Sequence, residues 1–273
     1  MHRLKTTWLP FCPNLEAYGP IKCNRPSFVD AKLDGEYAVW FKNGIYNKNG
    51  VERRDFPAAD LGKLLASHLM GMTGIDFENL QILGELHWQN GKAGDLYKLL
   101  SNKLNAELVF TVFDYFCGVP CGTIMDRRGT LVEAYDKAFP TPEVSLRLVP
   151  FKFCEKDEVQ EGIQSFTNDG YEGVVVKPVD SLGTYYKFKS VETSDLKVLS
   201  ADPWKARIGL EHPQRPGVEL CGCKYDGTDR AGLVGKVVEI QYLQKLYNAG
   251  GLLTGLRNPS FLRVRDDKTE ASL

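Results

Sequence analysis

Apolar and polar positions follow two different periods along the first 190 residues. Over residues 36–42 they alternate, as in a strand buried on one face, and Asn43-Gly44 predicts a two-residue hairpin turn. Over residues 59–70 the leucines recur on one helical face, and Gly71 is placed to end the helix. The same periods predict strands at 80–86, 107–113, 172–177 and 184–189, and helices at 94–104, 124–138 and 156–167. This part of the chain is therefore predicted to be a mixed sheet with helices packed outside it.

The pattern changes from residue 195 onward. Short strand-like pieces at 196–200, 218–223 and 234–242 are separated by clusters of Gly, Pro and Asp, with little helical periodicity. Roughly 75 residues of short strands suit a small five-stranded barrel such as an OB-fold. The predicted fold class is α+β, with one domain at 1–190 and a small all-β domain at 191–273.

Composition is that of an ordinary globular protein, and it bears on whether nucleic acids or membranes are partners. Its 273 residues are 43% hydrophobic and 25% charged, with a net charge of −1. Any nucleic-acid contact must therefore come from local basic patches. No apolar run reaches the length of a membrane span, and the N-terminus lacks the apolar region of a signal peptide. These features predict a cytoplasmic protein without a membrane partner.

The seven cysteines do not suggest a disulfide framework, because their number is odd and no export signal is found. The pairs Cys117-x3-Cys121 and Cys221-x-Cys223 leave zinc as an alternative, but no histidine lies near either pair in the sequence. We expect buried free thiols.

Two groups of lysines could carry chemistry. Lys32 begins a Lys-x-Asp-Gly tetrad at the start of the first predicted strand, where it is either an exposed turn residue or a held nucleophile. A nucleophilic lysine must lose its proton, which nearby cations, a metal ion or burial favour. Lys187 and Lys189 lie two apart on a predicted strand, so their side chains share a face. They form either a phosphate-binding pair or a solvated edge, with Tyr186 and Phe188 expected on the buried face.

Carboxylates and an aromatic residue accompany the lysines at the ends of predicted strands. Considered one at a time, Glu85 and Glu172 are most often turn or cap residues. Two such carboxylates facing a lysine pair could instead hold Mg²⁺ or a ribose hydroxyl. Phe113 is either a core aromatic residue or a side chain that stacks on a base.

The order of these motifs resembles a known series. It runs Lys32-x-Asp34-Gly35, Leu83-Gly84-Glu85, Phe113-Asp114, Glu172-Gly173-Val174-Val175-Val176-Lys177, Lys187-x-Lys189 and Arg265-Asp266-Asp267-Lys268. It is similar to the series of the covalent nucleotidyltransferases, in particular ATP-dependent DNA ligases, with mRNA capping enzymes and RNA ligases as relatives. The resemblance implies a mixed-sheet, ATP-grasp-like nucleotidyltransferase domain followed by an OB-fold barrel. A second tetrad at 224–227 is followed by only 46 residues, too few for the later motifs, so Lys224 is predicted to be a turn residue.

The resemblance also implies a three-step reaction that uses ATP and Mg²⁺ or Mn²⁺ to seal nicked double-stranded DNA, performed by a monomer. Lys32 would attack the α-phosphate of ATP to give a lysyl-AMP. AMP would pass to the 5′-phosphate at the nick, and the 3′-hydroxyl would then displace it.

By the same resemblance, the other motif residues would bind the nucleotide, the metal or the pyrophosphate. Asp30 and Ala31 would lie at the adenine, with Asp30 facing its amino group, and Phe113 would stack on the base. Glu85 would contact the ribose or the metal, and Glu172 would help to hold the metal. Lys187 and Lys189 would grip the α-phosphate. The pyrophosphate would be oriented by the closing motif, through Arg265, Asp267 and Lys268.

Tyr37 departs from the ligase pattern, because DNA ligases usually have arginine two places after the tetrad glycine. Lys48, Arg53 and Arg54 follow in the next hairpin and are candidates to bind DNA phosphates in its place. The departure also leaves open an unusual substrate, such as a nick containing RNA.

The particular member of the superfamily is predicted from the ends of the chain. Only 31 residues precede Lys32, which favours ATP over NAD, and the closing segment is more similar to DNA ligases than to capping enzymes. The short chain resembles compact viral, phage or bacterial ligases. The alternatives are an RNA ligase, a GTP-dependent capping guanylyltransferase, or a non-catalytic nucleic-acid binder that contains an OB-fold.

Overall fold

The computed structural model divides into two compact units, residues 1–188 and 189–273, which are described separately. It describes residues 13–17, 24–53, 58–88, 108–117, 121–141, 143, 145–202, 204, 206–248 and 250–272. The predicted helix at 94–104 lies outside these residues. No helix in the described ranges is long and apolar enough to cross a membrane.

The first unit contains two sheets and three α-helices within its described residues. Its strands are β1 Asn14–Ala17, β2 Ser27–Lys32, β3 Glu36–Phe41, β4 Gly44–Asn47, β5 Glu52–Arg53, β6 Gln81–Trp88, β7 Leu108–Phe116, β8 Leu146–Leu148, β9 Phe151–Cys154, β10 Gly173–Pro178 and β11 Thr184–Lys189. Its helices are α1 Ala58–Thr73, α2 Ile124–Ala138 and α3 Val159–Asn168, the last preceded by a 3-10 turn at Lys156–Glu158. The prediction of a mixed sheet system with outer helices is confirmed.

The six-stranded sheet has the order β5-β4-β3-β6-β7-β8, antiparallel except for the β7–β8 pair. One face packs against α1 and α2 around fully buried side chains, among them Trp40, Leu65, Phe110 and Leu131. Burial of these large apolar groups is the main stabilising contribution to this half of the unit.

The β3–β4 hairpin turns one residue earlier than predicted. Lys42 and Asn43 both have positive φ, at 47° and 67°, and Gly44 is already paired with Phe41. Two consecutive residues with positive φ are what a type I′ turn requires, and asparagine tolerates this conformation better than most residues. A Cβ at Gly44 would lie 2.8 Å from the hydroxyl oxygen of Tyr46, so a larger residue there would require the Tyr46 side chain to shift.

Helix α1 also extends past its predicted end at Gly71. Gly74, with φ of +69°, is the residue that ends it, and its N–H donates to the carbonyl of Met70. Gly71 has open space around it and is simply a helical residue facing away from the core.

Helix α2 begins where the sequence predicted. The Thr123 hydroxyl accepts from the Asp126 N–H, and the Asp126 carboxylate accepts from the Thr123 N–H, a reciprocal capping box.

The five-stranded sheet has the order β1-β11-β10-β2-β9. Strand β10 pairs antiparallel with β2, so that Gly173 lies opposite Lys32 and Val175 lies opposite Asp30. Helix α3 covers one face through Val159, Ile163 and Phe166, the apolar stripe predicted for it. This register places the start of the motif Glu172–Lys177 beside Lys32.

One prediction about the cysteines is wrong. Cys117 and Cys121, which lie between the end of β7 and the start of α2, form a disulfide, because their Cα atoms are only 6.3 Å apart. Cys154, Cys221 and Cys223 are free thiols, with Cys154 and Cys223 buried, as predicted.

Within its described residues, the second unit contains strands and one short 3-10 turn. Its strands are β12 Glu192–Asp202, β13 Arg207–His212, β14 Arg215–Lys224, β15 Val237–Tyr242, β16 Gln244–Tyr247, β17 Leu253–Arg257 and β18 Ser260–Val264. Five of them close into a barrel of order β12-β13-β14-β18-β15, and β16 and β17 form a separate hairpin. Leu196, Ile208, Leu210 and Ile240 are among its fully buried side chains. Sequence patterns had missed β13, β16, β17 and β18.

Candidate active site

A cavity of about 200 Å³ in the first unit gathers residues from both of its sheets. Five predicted site residues line it, namely Asp30, Ala31, Lys32, Glu85 and Phe113. They are joined by residues that sequence patterns did not assign to a site, namely Pro13, Leu15, Leu33, Tyr37, Val149, Val175, Lys177 and Tyr185.

Lys32 is the last residue of β2, a strand that the sequence had not predicted. Its Nζ donates to Glu172 Oε2 at 2.6 Å and lies 3.3 Å from the Leu33 carbonyl oxygen. The two side chains are 19% and 9% exposed, so this ion pair lies only partly in solvent. The β2–β10 register thus brings two distant motifs into direct contact.

Glu85 lies on β6 and completes what we call the lysine cluster, consisting of Lys32, Glu85 and Glu172. Burial raises the pKa of Glu85 to about 7, with the positive charge of Lys32 opposing the shift and the negative charges of Glu172 and Asp34 adding to it. The carboxylate also accepts a hydrogen bond from the backbone of Gly35. A Cβ at Gly35 would lie 2.4 Å from the Leu86 carbonyl oxygen, so this close approach requires glycine.

The lysine cluster fits a divalent cation of the magnesium type. Two carboxylates lie around Lys32, and the pKa of one of them, Glu85, is raised by burial, with the negative charge of Glu172 adding to the shift. Across the described ranges, no group of three or more His, Cys, Asp or Glu side chains is arranged to hold a metal ion. Among the described residues, Glu85 and Glu172 are therefore the two carboxylates available as ligands, a number typical of Mg²⁺ bound together with phosphates.

Phe113 and Tyr37 form an aromatic wall of the cavity. Their ring centroids are 6.2 Å apart with the planes tilted by 43°, and both side chains are partly buried. Tyr37, which occupies the position where ligases usually have arginine, is therefore a packing partner of Phe113.

Asp30 belongs to a group of buried charges that sequence patterns missed. Its Oδ2 lies 2.6 Å from Lys177 Nζ, and Nη2 of Arg128 donates to both of its oxygens, at 2.8 and 2.6 Å. Lys177 also donates to the Phe113 carbonyl at 3.1 Å, and burial lowers its pKa although the charge of Asp30 opposes this. The Arg128 guanidinium carbon lies 4.6 Å from the centre of the Phe151 ring.

Asp114, after Phe113, forms a second buried pair beside the first. Arg127 donates to both of its oxygens, at 2.9 and 3.0 Å, and the Tyr185 hydroxyl donates to Oδ2. Burial alone would raise the pKa of Asp114, but the hydrogen bonds and charge of Arg127 hold it below its ordinary value. We call Asp30, Asp114, Arg127, Arg128 and Lys177 the buried charge network.

A sequence signal for this network existed in α2. Arg127 and Arg128 lie on the helical face that also carries Ile124, Leu131 and Ala134, and they are 3% and 4% exposed. Two arginines on a core-facing stripe require carboxylate partners, since an unpaired buried charge is very costly.

Lys187 and Lys189 lie on β11, where Lys187 is exposed and Lys189 is partly buried. Tyr185 points to the same face, two residues before Lys187, and is buried in the cavity wall. Tyr186 and Phe188 are only partly buried, against the apolar cluster of α3, so the predicted buried face is confirmed in part. Neither lysine lines the cavity, and their assignment to the α-phosphate stays a prediction.

The three cations proposed to replace the missing arginine differ in their surroundings. Lys48 is exposed. Arg53 donates to both oxygens of Glu36, at 2.7 and 2.5 Å, and Asn47 donates to the same carboxylate. Arg54 lies outside the described residues. Arg53 is thus neutralised, and its role toward DNA stays a prediction.

Arg265, Asp267 and Lys268 follow β18 in the second unit. Arg265 binds Asp267 through Nε and Nη2, at 2.8 and 2.7 Å, which holds the pKa of Asp267 far below its ordinary range. Arg265 and Lys268 both bind Asp195 of β12 as well. The closing motif is therefore a compact ionic cluster.

Comparison with solved structures identifies the fold as one found in DNA ligases. Pmar-Lig_PreS3 is 21% identical, with a TM-score of 0.69 over 94% of this chain and 68% of that chain. A Lig E DNA ligase, described for DNA binding with a minimal scaffold, is 22% identical, with a TM-score of 0.66 over 93% of this chain and all of its own. The ATP-dependent DNA ligase of bacteriophage T7, in complex with ATP, is 13% identical, with a TM-score of 0.50 over 93% and 98%.

At these identities the likeness shows a shared fold, and it confirms the predicted resemblance at that level. No protein-family model and no curated protein matches the chain.

Proposed function

We propose that this chain is a compact ATP-dependent DNA ligase that seals nicks in double-stranded DNA and acts as a monomer. The observation that carries the proposal is the position of Lys32 on the wall of a cavity that also contains Glu85 and Phe113, on a fold shared with DNA ligases. Residues 1–190 would form the nucleotidyltransferase domain, and the closed barrel of the second unit would be an OB-fold within residues 191–273.

ATP would bind with its adenine between apolar walls. Phe113 and Tyr37 offer aromatic surface, and Val149 and Val175 line the same cavity. Asp30 and Lys177 place an acceptor and a donor side by side, which matches the amino group and ring nitrogen along one edge of adenine. Asp30 is held at both oxygens by Arg128, so this edge is preorganised.

The first chemical step would take place at Lys32 Nζ. Once the amine has lost its proton, its lone pair attacks the α-phosphorus, the new P–N bond forms, and the bond to pyrophosphate breaks. In the next two steps the AMP passes to a 5′-phosphate at the nick, and the 3′-hydroxyl displaces AMP from it.

Mg²⁺, or Mn²⁺, would be held by Glu172 and Glu85 and would supply charge stabilisation for the phosphates. Glu172 binds Lys32 in this structure, so one carboxylate would serve both the amine and the cation. Lys187 and Lys189 would contact the α-phosphate, and Arg265, Asp267 and Lys268 would orient the pyrophosphate.

The proposal is tested by incubating the protein with Mg²⁺ and α-labelled ATP, GTP or labelled NAD. We expect covalent label from ATP alone, followed by sealing of a nicked duplex with a 5′-phosphate. Label from GTP alone would indicate a capping guanylyltransferase. Label from ATP with sealing only of RNA-containing nicks would indicate an RNA ligase, a result that the tyrosine at position 37 makes worth including. The absence of any label would favour a non-catalytic nucleic-acid binder.

A further inference from the structure

Asp195 is the centre of the ionic cluster in the second unit, although it belongs to none of the motifs. Its Oδ1 and Oδ2 accept from Arg265 Nη1 at 2.9 and 3.0 Å. Oδ2 also accepts from Lys268 Nζ, and the Ser272 hydroxyl lies 3.4 Å away. One carboxylate on β12 thus binds both cations that follow β18.

The backbone holds this carboxylate in place from both sides. Asp195 pairs with Glu239 in the β12–β15 ladder and exchanges two backbone hydrogen bonds with Ser272, at 2.9 and 2.7 Å. The Arg265 N–H donates to Val237 of β15 at 2.8 Å. The Asp195 side chain is 8% exposed, so water has little access to the carboxylate and competes little with its ion pairs.

Arg265 and Lys268 differ in how many of their N–H donors are bound by carboxylates. Nε and Nη2 of Arg265 are bound to Asp267 and Nη1 to Asp195, so every nitrogen of the guanidinium has a carboxylate partner. The ammonium of Lys268 has three N–H groups, and Asp195 is its one partner among the residues that the structure describes. The Lys268 side chain is also more exposed, at 36% against 16% for Arg265.

We propose that Asp195 is a positioning residue that aims Lys268 at the pyrophosphate of ATP during adenylation, with Arg265 as a brace of the same cluster. This inference rests on the proposed function and assigns different roles to the two cations. The charges of Asp195, Asp267, Arg265 and Lys268 cancel, so the cluster orients an ammonium group rather than concentrating positive charge. Sealing by enzyme that already carries AMP does not involve pyrophosphate and therefore does not depend on Asp195.

The test compares Asp195→Asn with the parent in two separate assays. We expect the rate of labelling from ATP to fall about tenfold or more, because a neutral amide no longer fixes the ammonium. Single-turnover sealing of a nicked duplex by the isolated, adenylated enzyme is expected to stay at the parental rate. Asp266→Asn is the matched control, since Asp266 belongs to the same turn but its side chain is 84% exposed. Asp195→Glu, which keeps the charge, is expected to restore part of the labelling rate.

A double variant distinguishes positioning from general support of the fold. If Asp195 acts through Lys268, then Asp195→Asn combined with Lys268→Ala labels no more slowly than Lys268→Ala alone. Additive losses, or an equal loss in both assays with a lowered unfolding midpoint, would overturn the inference. Labelling of Asp195→Asn at or above the parental rate would also overturn it, because the carboxylate would then either have no effect on adenylation or compete with pyrophosphate for Lys268. Failure of the parent itself to take label from ATP would instead refute the proposed function.

Discussion

The lysine cluster and the buried charge network both contribute residues to one cavity, but their carboxylates are paired with cations to different extents. In the network, Asp30 and Asp114 are 1% and 4% exposed, and each is bound at both oxygens by an arginine of α2. In the lysine cluster, Lys32 binds Glu172 and faces a second carboxylate, Glu85, whose pKa is raised to about 7 by burial. The network therefore pairs each of its buried carboxylates with buried cations, and within the described residues Arg128 Nη1 is its buried side-chain nitrogen without a hydrogen-bond partner. The lysine cluster instead places two carboxylates around one lysine, where a divalent cation could bind.

The largest expected effect comes from removing the nucleophile. Lys32→Ala is expected to reduce covalent labelling from ATP to background, because the other lysine among the described residues that line the cavity, Lys177, is bound to Asp30. Lys224→Ala is the matched control, since Lys224 begins the same tetrad and its side chain is 74% exposed in the second unit. Labelling of Lys32→Ala at the parental level, measured on a denaturing gel, would disprove the assignment.

The next largest effect is expected in stability, from breaking the buried charge network. Asp30→Ala leaves Arg128 and Lys177 buried without their carboxylate, which is expected to cost about 3–5 kcal/mol of unfolding free energy. Asp180→Ala removes an exposed partner of Arg25 and is expected to cost about 1 kcal/mol or less. Urea unfolding monitored by circular dichroism compares the two variants, and equal losses would show that Asp30 is not a buried partner of these two cations.

Because the pKa of Glu85 is raised in the folded state, the lysine cluster is expected to make the free energy of unfolding depend on pH. The pKa of Glu85 is raised from 4.5 to about 7, so the folded state binds a proton that the unfolded state has released over this interval. Its contribution to stability is therefore present below pH 4.5 and is lost as the pH rises through about 7. Glu85→Gln is expected to flatten this part of the profile, measured as urea midpoints from pH 4.5 to 8. An unchanged slope would mean that Glu85 titrates normally.

The smallest effect is expected at Tyr37. Since its ring packs on Phe113, Tyr37→Phe is expected to change the labelling rate by no more than about twofold. A loss of tenfold or more would show that the hydroxyl has taken over a task of the missing arginine. Tyr37→Arg is the informative companion, because it restores the usual ligase residue, and the sealing assay on nicked DNA reports whether it helps or harms.

Local patterns predicted most of the strands and helices that position the site. Periods of 2 and 3.6 located β3, β6, β7, β10 and β11 as well as α1, α2 and α3 to within a few residues. They failed where local signals compete, as at Gly71 and the β3–β4 turn, and where strands are short or lie in loop-rich sequence, as in β2 and β18.

The sequence by itself determined which side chains could do chemistry and their order along the chain. Only the tertiary structure decided how their charges are balanced. Arg128 meets Asp30 across 98 positions, and Lys32 meets Glu172 across 140, through the register of β2 with β10 and the packing of α2. The cost of burying a charge depends on such distant partners, so no local pattern distinguishes the carboxylates of the network, which buried cations bind, from those of the lysine cluster, which lie around a single lysine.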